Sequence, residues 1–394
     1  MLERKLSSLE KHYYYRSELN VLSCIYLGVE LNKIPTKAQL TSVLRQIILE
    51  YPQLHCNIFI DEKDGEPYIK SIDEMPILFD GVVEDITWSL ESEANINRIF
   101  RDYKFPYHIE YPLWKVLINS SSRKMILIVD HILFDGMSCV EFWNEFISKL
   151  NAGSTDTQEF SNVLFTAKED KISVPGFHPY ENWPITLKYK VLRPIISKIF
   201  EWRPSLITSK NAKLVQFKNY VFPDSSMIER ANKGGDYYAI KNDNCQCTLN
   251  VPTDELSDVL KTCRSQKVSL TSFLAALMCK TLEESVESKG YAGSLIKIDI
   301  PINTRKVCML NLNCEPKGCK IGNFVAPLEL QYNMNDCRNI WEVAKYFQER
   351  LYVQSVDNIS DTINNVKLLD VVDNAEFIKE KLRVAGLPGT FEIT

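Results

Sequence analysis

The sequence lacks an excess of positive charge: 46 Lys and Arg stand against 51 Asp and Glu, a formal charge of −5 with a pI near 5.7. That balance argues against nucleic acid as the main partner, which would call for a basic face. Long apolar runs are also missing. The longest, Met125–Phe134, is interrupted by Asp130 and His131 and falls far short of the ~20 residues that span a bilayer, so no transmembrane helix is expected. The 11 cysteines, scattered from Cys24 to Cys337, have little of the patterning that metals need. Their densest group, Cys308, Cys314 and Cys319, has no nearby histidine and no C-x-x-C pair, so inert buried thiols are expected and no metal site. The opening Met1–Arg16 is charged and tyrosine-rich without an apolar h-region, which points to a reducing, cytoplasmic setting. Neither solenoid-period repeats nor low-complexity tracts occur.

What is present reads as a folded chain: 45% of the 394 residues are apolar, and at ~150 residues per domain the length suggests two or three units. The pattern is α/β. Leu6–Asn20 reads as a helix, and Ile25, Leu27, Val29 and Leu31 alternate as a strand. Thr36 caps a helix whose apolar face is Leu40, Val43, Leu44, Ile47, Ile48 and Tyr51; Pro52 ends it, and Leu54–Ile60 continues the β-α-β rhythm. After a turn at Asp61–Glu66 and an acidic, irregular stretch to about Glu93, Leu113–Asn119 and Lys124–Val129 read as adjacent strands joined by Ser120–Arg123, the second lying in the sheet interior. Gly136–Leu150 is the helix that follows, with Val140, Trp143, Phe146, Ile147 and Leu150 on one side. From Asn151 to Tyr238 prolines recur and periodicity fades, which reads as a long crossover. A second α/β unit then begins: strand-like Cys245–Val251, a helix from Asp254, an apolar helix Leu270–Leu282 opened by Ser269 or Thr271, and strands at Ile296–Ile300 and Phe324–Leu330 flanking a polar excursion, Val307–Ile321.

The informative segment is Asp130-His131-Ile132-Leu133-Phe134-Asp135-Gly136, a histidine leaving an interior strand just before a helix. Sites in α/β sheets form at such strand ends. An imidazole that titrates near neutrality accepts a proton from a hydroxyl or amine as that group attacks a carbonyl, with no metal and no covalent intermediate. Asp135, four residues on, either orients the histidine or fixes the loop. By itself H-x-x-x-D-G is short and arises by chance, and a lone loop histidine is more often structural.

The surroundings extend the motif. Tyr51-Pro52-Gln53-Leu54 follows the first long helix, Pro112-Leu113-Trp114-Lys115 opens a strand, and Pro301-Ile302-Asn303-Thr304-Arg305 precedes Ile321-Gly322-Asn323-Phe324-Val325. In this order, over essentially the whole chain, they resemble the fungal alcohol acetyltransferase family of the chloramphenicol acetyltransferase-like, CoA-dependent acyltransferases. The resemblance implies two α/β lobes with mixed sheets and a central tunnel, acyl-CoA entering at one mouth and the acceptor at the other. It implies His131 as general base, Asp135 paired with Arg305 as structural support, and Gly136 as a tight turn behind the histidine. Asn303, Gly322 and Asn323 become tunnel or cofactor-binding candidates. The expected division is an N-terminal lobe over 1–175, a crossover over 176–238 and a C-terminal lobe over 239–394. Phe391-Glu392-Ile393-Thr394 resembles the start of a strand that leads into further strands in the family, so the C-terminal lobe is expected to be truncated. The plant-type D-F-G-W-G motif is absent.

The expected reaction is transfer of an acetyl group from acetyl-CoA, a co-substrate rather than a tightly bound cofactor, to a small lipophilic alcohol or amine. The segment Leu9–Arg16 is similar to the yeast branch that N-acetylates sphingoid-base-like compounds such as myriocin, which favours such an amine. Residues 188–218 carry eight cations and one acid, Glu201, interleaved with Tyr189, Ile195, Ile196, Ile199, Phe200 and Trp202. That composition suits either a solvated face with an apolar anchor or a peripheral contact with a membrane such as the endoplasmic reticulum or a lipid droplet. A monomer is expected. The alternatives are an inactive, truncated acyltransferase homologue serving as a binding protein, and a condensation-type enzyme working on carrier-bound thioesters. The latter expects a second histidine where Asp130 stands.

Overall fold

A computed structural model describes the chain except residues 1–2, 20, 22–23, 91, 154–158, 209–213, 216–247, 290–293, 313–314, 316, 335–337 and 384–389. It divides into two compact units, Met1–Asn182 with Tyr238–Thr248 and Arg305–Phe324, and Trp183–Tyr237 with Leu249–Thr304 and Val325–Thr394.

In the first unit the strands are β1 (Glu3–Lys5), β2 (Ile25–Glu30), β3 (Cys56–Ile60), β4 (Pro67–Ser71), β5 (Ile77–Leu78), β6 (Val83–Asp85), β7 (Trp114–Asn119), β8 (Lys124–Val129) and β9 (Val163–Phe165). The main sheet is ordered β2-β8-β7-β6, antiparallel except for the parallel pair β6·β7. The expected hairpin at Ser120–Arg123 joins β7 to β8. Apolar from Met125 onward, β8 lies inside the sheet, where Met125, Leu127, Ile128 and Val129 are 0–1% exposed. The helix Lys37–Glu50 starts at a capping box, Thr36 with Gln39, and buries the predicted Leu40, Val43, Leu44, Ile47 and Ile48.

Four expectations are corrected here. The strands before and after that helix do not share a sheet, because β3 belongs to a separate antiparallel sheet, β1-β4-β3. The stretch to Glu93 contains β4, β5 and β6, each too short to show periodicity between acidic residues. The helix Gly136–Asn151 buries Cys139, Phe142, Trp143 and Phe146 and leaves Ile147 exposed, a face turned slightly from the one expected. Residues Arg305–Leu312 form a helix within the polar excursion.

The second unit holds the sheet β11-β10-β12, with β10 (Leu295–Asn303) and β11 (Val325–Asn333) antiparallel in register from Leu295↔Asn333 to Asn303↔Val325, and β12 (Phe391–Glu392) parallel to β10. Ile296, Ile298 and Ile300 of β10 alternate into a core with Leu328, Leu330, Tyr332 and Phe347. The helix Leu270–Lys289 is opened by Ser269, whose Oγ accepts the Ser272 N–H (3.2 Å). Phe273 of that helix stacks on Trp341 at 5.1 Å, against the helix Ile340–Tyr352. The expected crossover contains a helix, Leu187–Trp202, formed despite Pro194 because Tyr189 and Phe200 are buried and the Arg193–Asp370 ion pair (2.8 Å) fastens its length. The strand expected at Cys245–Val251 lies partly outside the described residues, and its described part is not a strand. No described helix is long and apolar enough to cross a membrane.

Candidate active site

The end of β8 places the loop. Val129 sits between Ile25 of β2 and Trp114 of β7, and the Asp130 N–H donates to the Leu113 carbonyl (3.0 Å), extending the ladder by one residue. Asp130 then turns the chain: its carboxylate accepts the Ile132 N–H (2.8 Å) and the Tyr107 hydroxyl (2.9 Å). Burial lifts its pKa to about 7, against the pull of those two donors.

His131 follows, partly exposed. Asn323 Nδ2 donates to its carbonyl (2.8 Å) and lies 3.4 Å from its Nδ1. Tyr13 stacks on the imidazole with ring centroids 4.3 Å apart and planes 26° from parallel. Desolvation by this packing lowers the His131 pKa from 6.5 to about 4, outweighing the backbone oxygen and the Asp135 charge that favour protonation. The ring is therefore neutral at physiological pH, the form that accepts a proton.

Asp135 faces away from that chemistry. Its side chain caps the helix Gly136–Asn151, Oδ1 accepting the Ser138 N–H (2.8 Å) and hydroxyl (2.9 Å). Arg305 meets it as a fork, Nη1 to Oδ2 at 2.8 Å and Nη2 to Oδ1 at 2.7 Å, and the Phe324 N–H donates to Oδ2 (2.9 Å). Arg305 is buried rather than solvated, and its remaining donors reach the carbonyls of Cys319 (2.8 Å) and Gly322 (2.9 Å). Ser138 completes the knot, its Oγ accepting the Gly322 N–H (3.0 Å) and lying 2.7 Å from Gly322 O.

The two glycines differ. A Cβ on Gly322, whose φ is +156°, would stand 2.5 Å from the Phe324 ring, so only glycine fits. Gly136 needs no such freedom: it has no positive φ and open space where a Cβ would stand. The expected tight turn is thus corrected, since the chain enters the helix there with ordinary backbone angles. Asn303, by contrast, belongs to the second unit, as the exposed last residue of β10 opposite Val325.

Several contributors escaped sequence reading. Ser138 carried a signal, since D-x-x-S is a capping box. His178 carried none: it lies among prolines, yet it is buried, its Nε2 donates to the Asn323 carbonyl (2.7 Å), and its Nδ1 accepts the Tyr180 N–H (3.2 Å). Gln53 of the Y-P-Q-L segment donates to Ile321 O (2.6 Å), and Trp114 Nε1 donates to Leu54 O (2.7 Å), so with Arg305 on Gly322 O all four matched segments are bonded together beside the loop. A cavity of about 250 Å³ adjoins them, lined in part by Gln53, Leu133, His178, Gly322 and Asn323. Among the described residues one acidic cluster has metal-compatible spacing, Asp73, Glu74 and Glu110, but the Lys70 ammonium pairs with Asp73 (2.9 Å) and Glu110 (3.4 Å).

Comparisons with known proteins give the family and the fold. The family model for alcohol acetyltransferase matches residues 5–394. The chain is 35% identical to the N-acetyltransferase SLI1 of Saccharomyces cerevisiae over 397 residues, 99% of this chain and 84% of that protein. Among solved structures it resembles the first condensation domain of the calcium-dependent antibiotic synthetase (TM-score 0.58, 13% identity, 100% of this chain and 80% of that one). It also resembles SgcC5 from Streptomyces globisporus (TM-score 0.55, 11% identity, 94% and 76%). At those identities the structures establish the fold, the mixed α/β architecture of chloramphenicol acetyltransferase. The family and the yeast relative establish an acyltransferase with acetyl-CoA as co-substrate. The chain belongs to the alcohol acetyltransferase family.

Proposed function

We propose that the chain transfers the acetyl group of acetyl-CoA to the amine or hydroxyl of a lipophilic acceptor, a sphingoid-base-like amine in the first place, with His131 as general base. The observation that carries this reading is the neutral, partly exposed imidazole held by Asn323 and Tyr13 at the end of β8, while Asp135 is spent on Arg305. The acceptor's nitrogen or oxygen attacks the thioester carbonyl as His131 takes its proton. Collapse of the tetrahedral adduct breaks the C–S bond, and the imidazolium returns the proton to the departing thiolate. Asp135, Arg305, Ser138 and Gly322 hold the loop. Asn323 positions His131, a more local role than lining a cofactor site. The yeast relative's name, an N-acetyltransferase, favours an amine over an alcohol.

The proposal includes a peripheral membrane contact where such amphiphiles reside, at the endoplasmic reticulum or a lipid droplet. On the helix Leu187–Trp202, Leu187, Val191, Ile195 and Trp202 are exposed on one face, Leu187 by 78% and Trp202 by 79%, with Lys188, Lys190 and Lys198 around them. Flotation with anionic liposomes that does not fall with salt, or no flotation at all, refutes that contact.

The test of the activity is thiol release from acetyl-CoA in the presence of a long-chain amino alcohol or simple alcohols, for the wild type and His131→Ala. Turnover lost in a folded variant is the expected result. Acetyl-CoA binding without turnover by a folded wild type would leave the binding-protein reading in its place.

A further inference from the structure

We infer that His178 is a positioning residue for the reaction: through the Asn323–Phe324 peptide it aims the side-chain amide that holds His131. The inference rests on His131 being the base and adds a second histidine to that reading, acting at one remove. Asn323 reaches the base through a single group. Its Nδ2 donates to the His131 carbonyl (2.8 Å) and lies 3.4 Å from Nδ1, while its buried Oδ1 accepts no bond among the described residues. With no second bond on the amide, its aim is inherited from the backbone that carries it. That backbone is clamped at both polar atoms of one peptide group. The Asn323 carbonyl accepts the His178 Nε2–H (2.7 Å), and the Phe324 N–H of the same peptide donates to Asp135 Oδ2 (2.9 Å). Arg305 locks Asp135, so one jaw of the clamp belongs to the motif and the other is His178.

The His178 ring is built as a fixed donor. It is 5% exposed, edge-on to Tyr180 (centroids 4.5 Å apart, planes at 73°) and tilted against Phe324 (5.5 Å). Its Nδ1 accepts the Tyr180 N–H (3.2 Å), which leaves the ring's N–H on Nε2, where Asn323 needs it. Burial lowers the His178 pKa against the opposing charge of Glu10, and that keeps the ring neutral. The segment that carries it is anchored in turn. Arg4 Nε donates to the Pro175 carbonyl (2.7 Å), three residues before His178, and both Nη atoms of Arg4 donate to Glu10 (2.7 and 2.8 Å). Glu10 belongs to the helix Ser8–Glu18, whose Tyr13 stacks on His131. One buried ion pair therefore braces the imidazole from its ring side and from its backbone side.

The test compares His178→Gln, whose amide N–H reaches toward the place of Nε2, with His178→Asn, whose shorter amide serves Tyr180 but not Asn323. Each is made in the wild-type and Asn323→Ala backgrounds, and steady-state constants are taken per folded molecule beside melting curves. His178→Asn should lower kcat about 10- to 100-fold, the scale of a misplaced reacting group, with both KM values within about threefold; His178→Gln should recover part of that loss. In Asn323→Ala the same substitution should cost less than about threefold more, because the two residues act as a unit. A loss of equal size in both backgrounds overturns the inference, as does a kcat per folded molecule that does not fall. His178→Phe, which keeps the ring without a donor, replaces His178→Asn if the shorter side chain prevents folding. A second readout needs no turnover. In the chain labelled at its five histidines, the His131 imidazole resonance, identified by its loss in His131→Ala, should move in His178→Asn and return toward the wild-type position in His178→Gln. A His131 resonance that stays in place overturns the inference. If His131→Ala keeps full turnover, the base reading fails instead, and the resonances still decide whether His178 sets the surroundings of that ring.

Discussion

His131 and Asp135 leave the same strand four residues apart, yet one loop gives them opposite surroundings. Asp135 is buried and its two oxygens accept bonds from Arg305, Ser138 and the Phe324 backbone, so no capacity is left for chemistry. His131 has one amide, one stacked ring and a partly exposed edge. The difference separates holding from reacting. A carboxylate saturated by a guanidinium fork keeps the loop in one conformation, and the imidazole, released from that duty, keeps a nitrogen for substrate.

That contrast can be broken at either end. His131→Ala should lower kcat about 10²- to 10⁴-fold, the usual share of a general base, with the thermal midpoint nearly unchanged; thiol release beside a melting curve reads both, and an equal fall in stability would erase the distinction. Asp135→Ala should do the reverse. It strands a buried arginine at a cost of about 3–5 kcal/mol, seen as a lower denaturation midpoint, and the activity per folded molecule should fall less than in His131→Ala.

The pH profile sharpens the same comparison. Because packing lowers the His131 pKa to about 4, the base remains unprotonated as pH drops, and kcat/KM measured with an alcohol acceptor, which does not itself titrate in this range, should hold level from pH 8 to pH 6 before declining near the lowered value. An acidic limb centred near 6.5 would mean that the imidazole is as hydrated as in a free peptide. Smaller effects belong to the glycines. Gly322→Ala forces a methyl against Phe324 and should cost about 1–3 kcal/mol, whereas Gly136→Ala, with open space at its Cβ, should stay within about 0.5 kcal/mol of wild type in chemical denaturation.

Much of the fold was legible because its signals are local. The helix Lys37–Glu50 announces itself through its apolar period and the Thr36–Gln39 box, and β8 through an unbroken apolar run that only an interior strand buries on both faces. His131 was legible as chemistry at a strand end. What stayed hidden depends on partners distant in sequence. His178 reads as one residue among prolines until its imidazole is seen supporting Asn323, 145 positions away. Residues 61–93 hide short strands that exist because they pair, not because their own pattern demands them. Recurring prolines masked the helix Leu187–Trp202, where burying Tyr189 and Phe200 outweighs the backbone bond lost at Pro194. Gly136 misled in the other direction, since the tight turn that the resemblance implied there is absent and its backbone has no positive φ.

The sequence by itself determined the α/β alternation, the hairpin that delivers His131 and the family resemblance, because periodicity, capping and motif order are written in neighbouring residues. Only the tertiary structure decided which way each polar group faces. Asn323 came to the back of the histidine and Tyr13 settled over its ring, while the Asp135–Arg305 pair that the resemblance implied closed across 170 residues. Those pairings arise from burial, where an unpaired charge or hydrogen-bonding group is too costly to keep, and burial is a property of the folded chain alone.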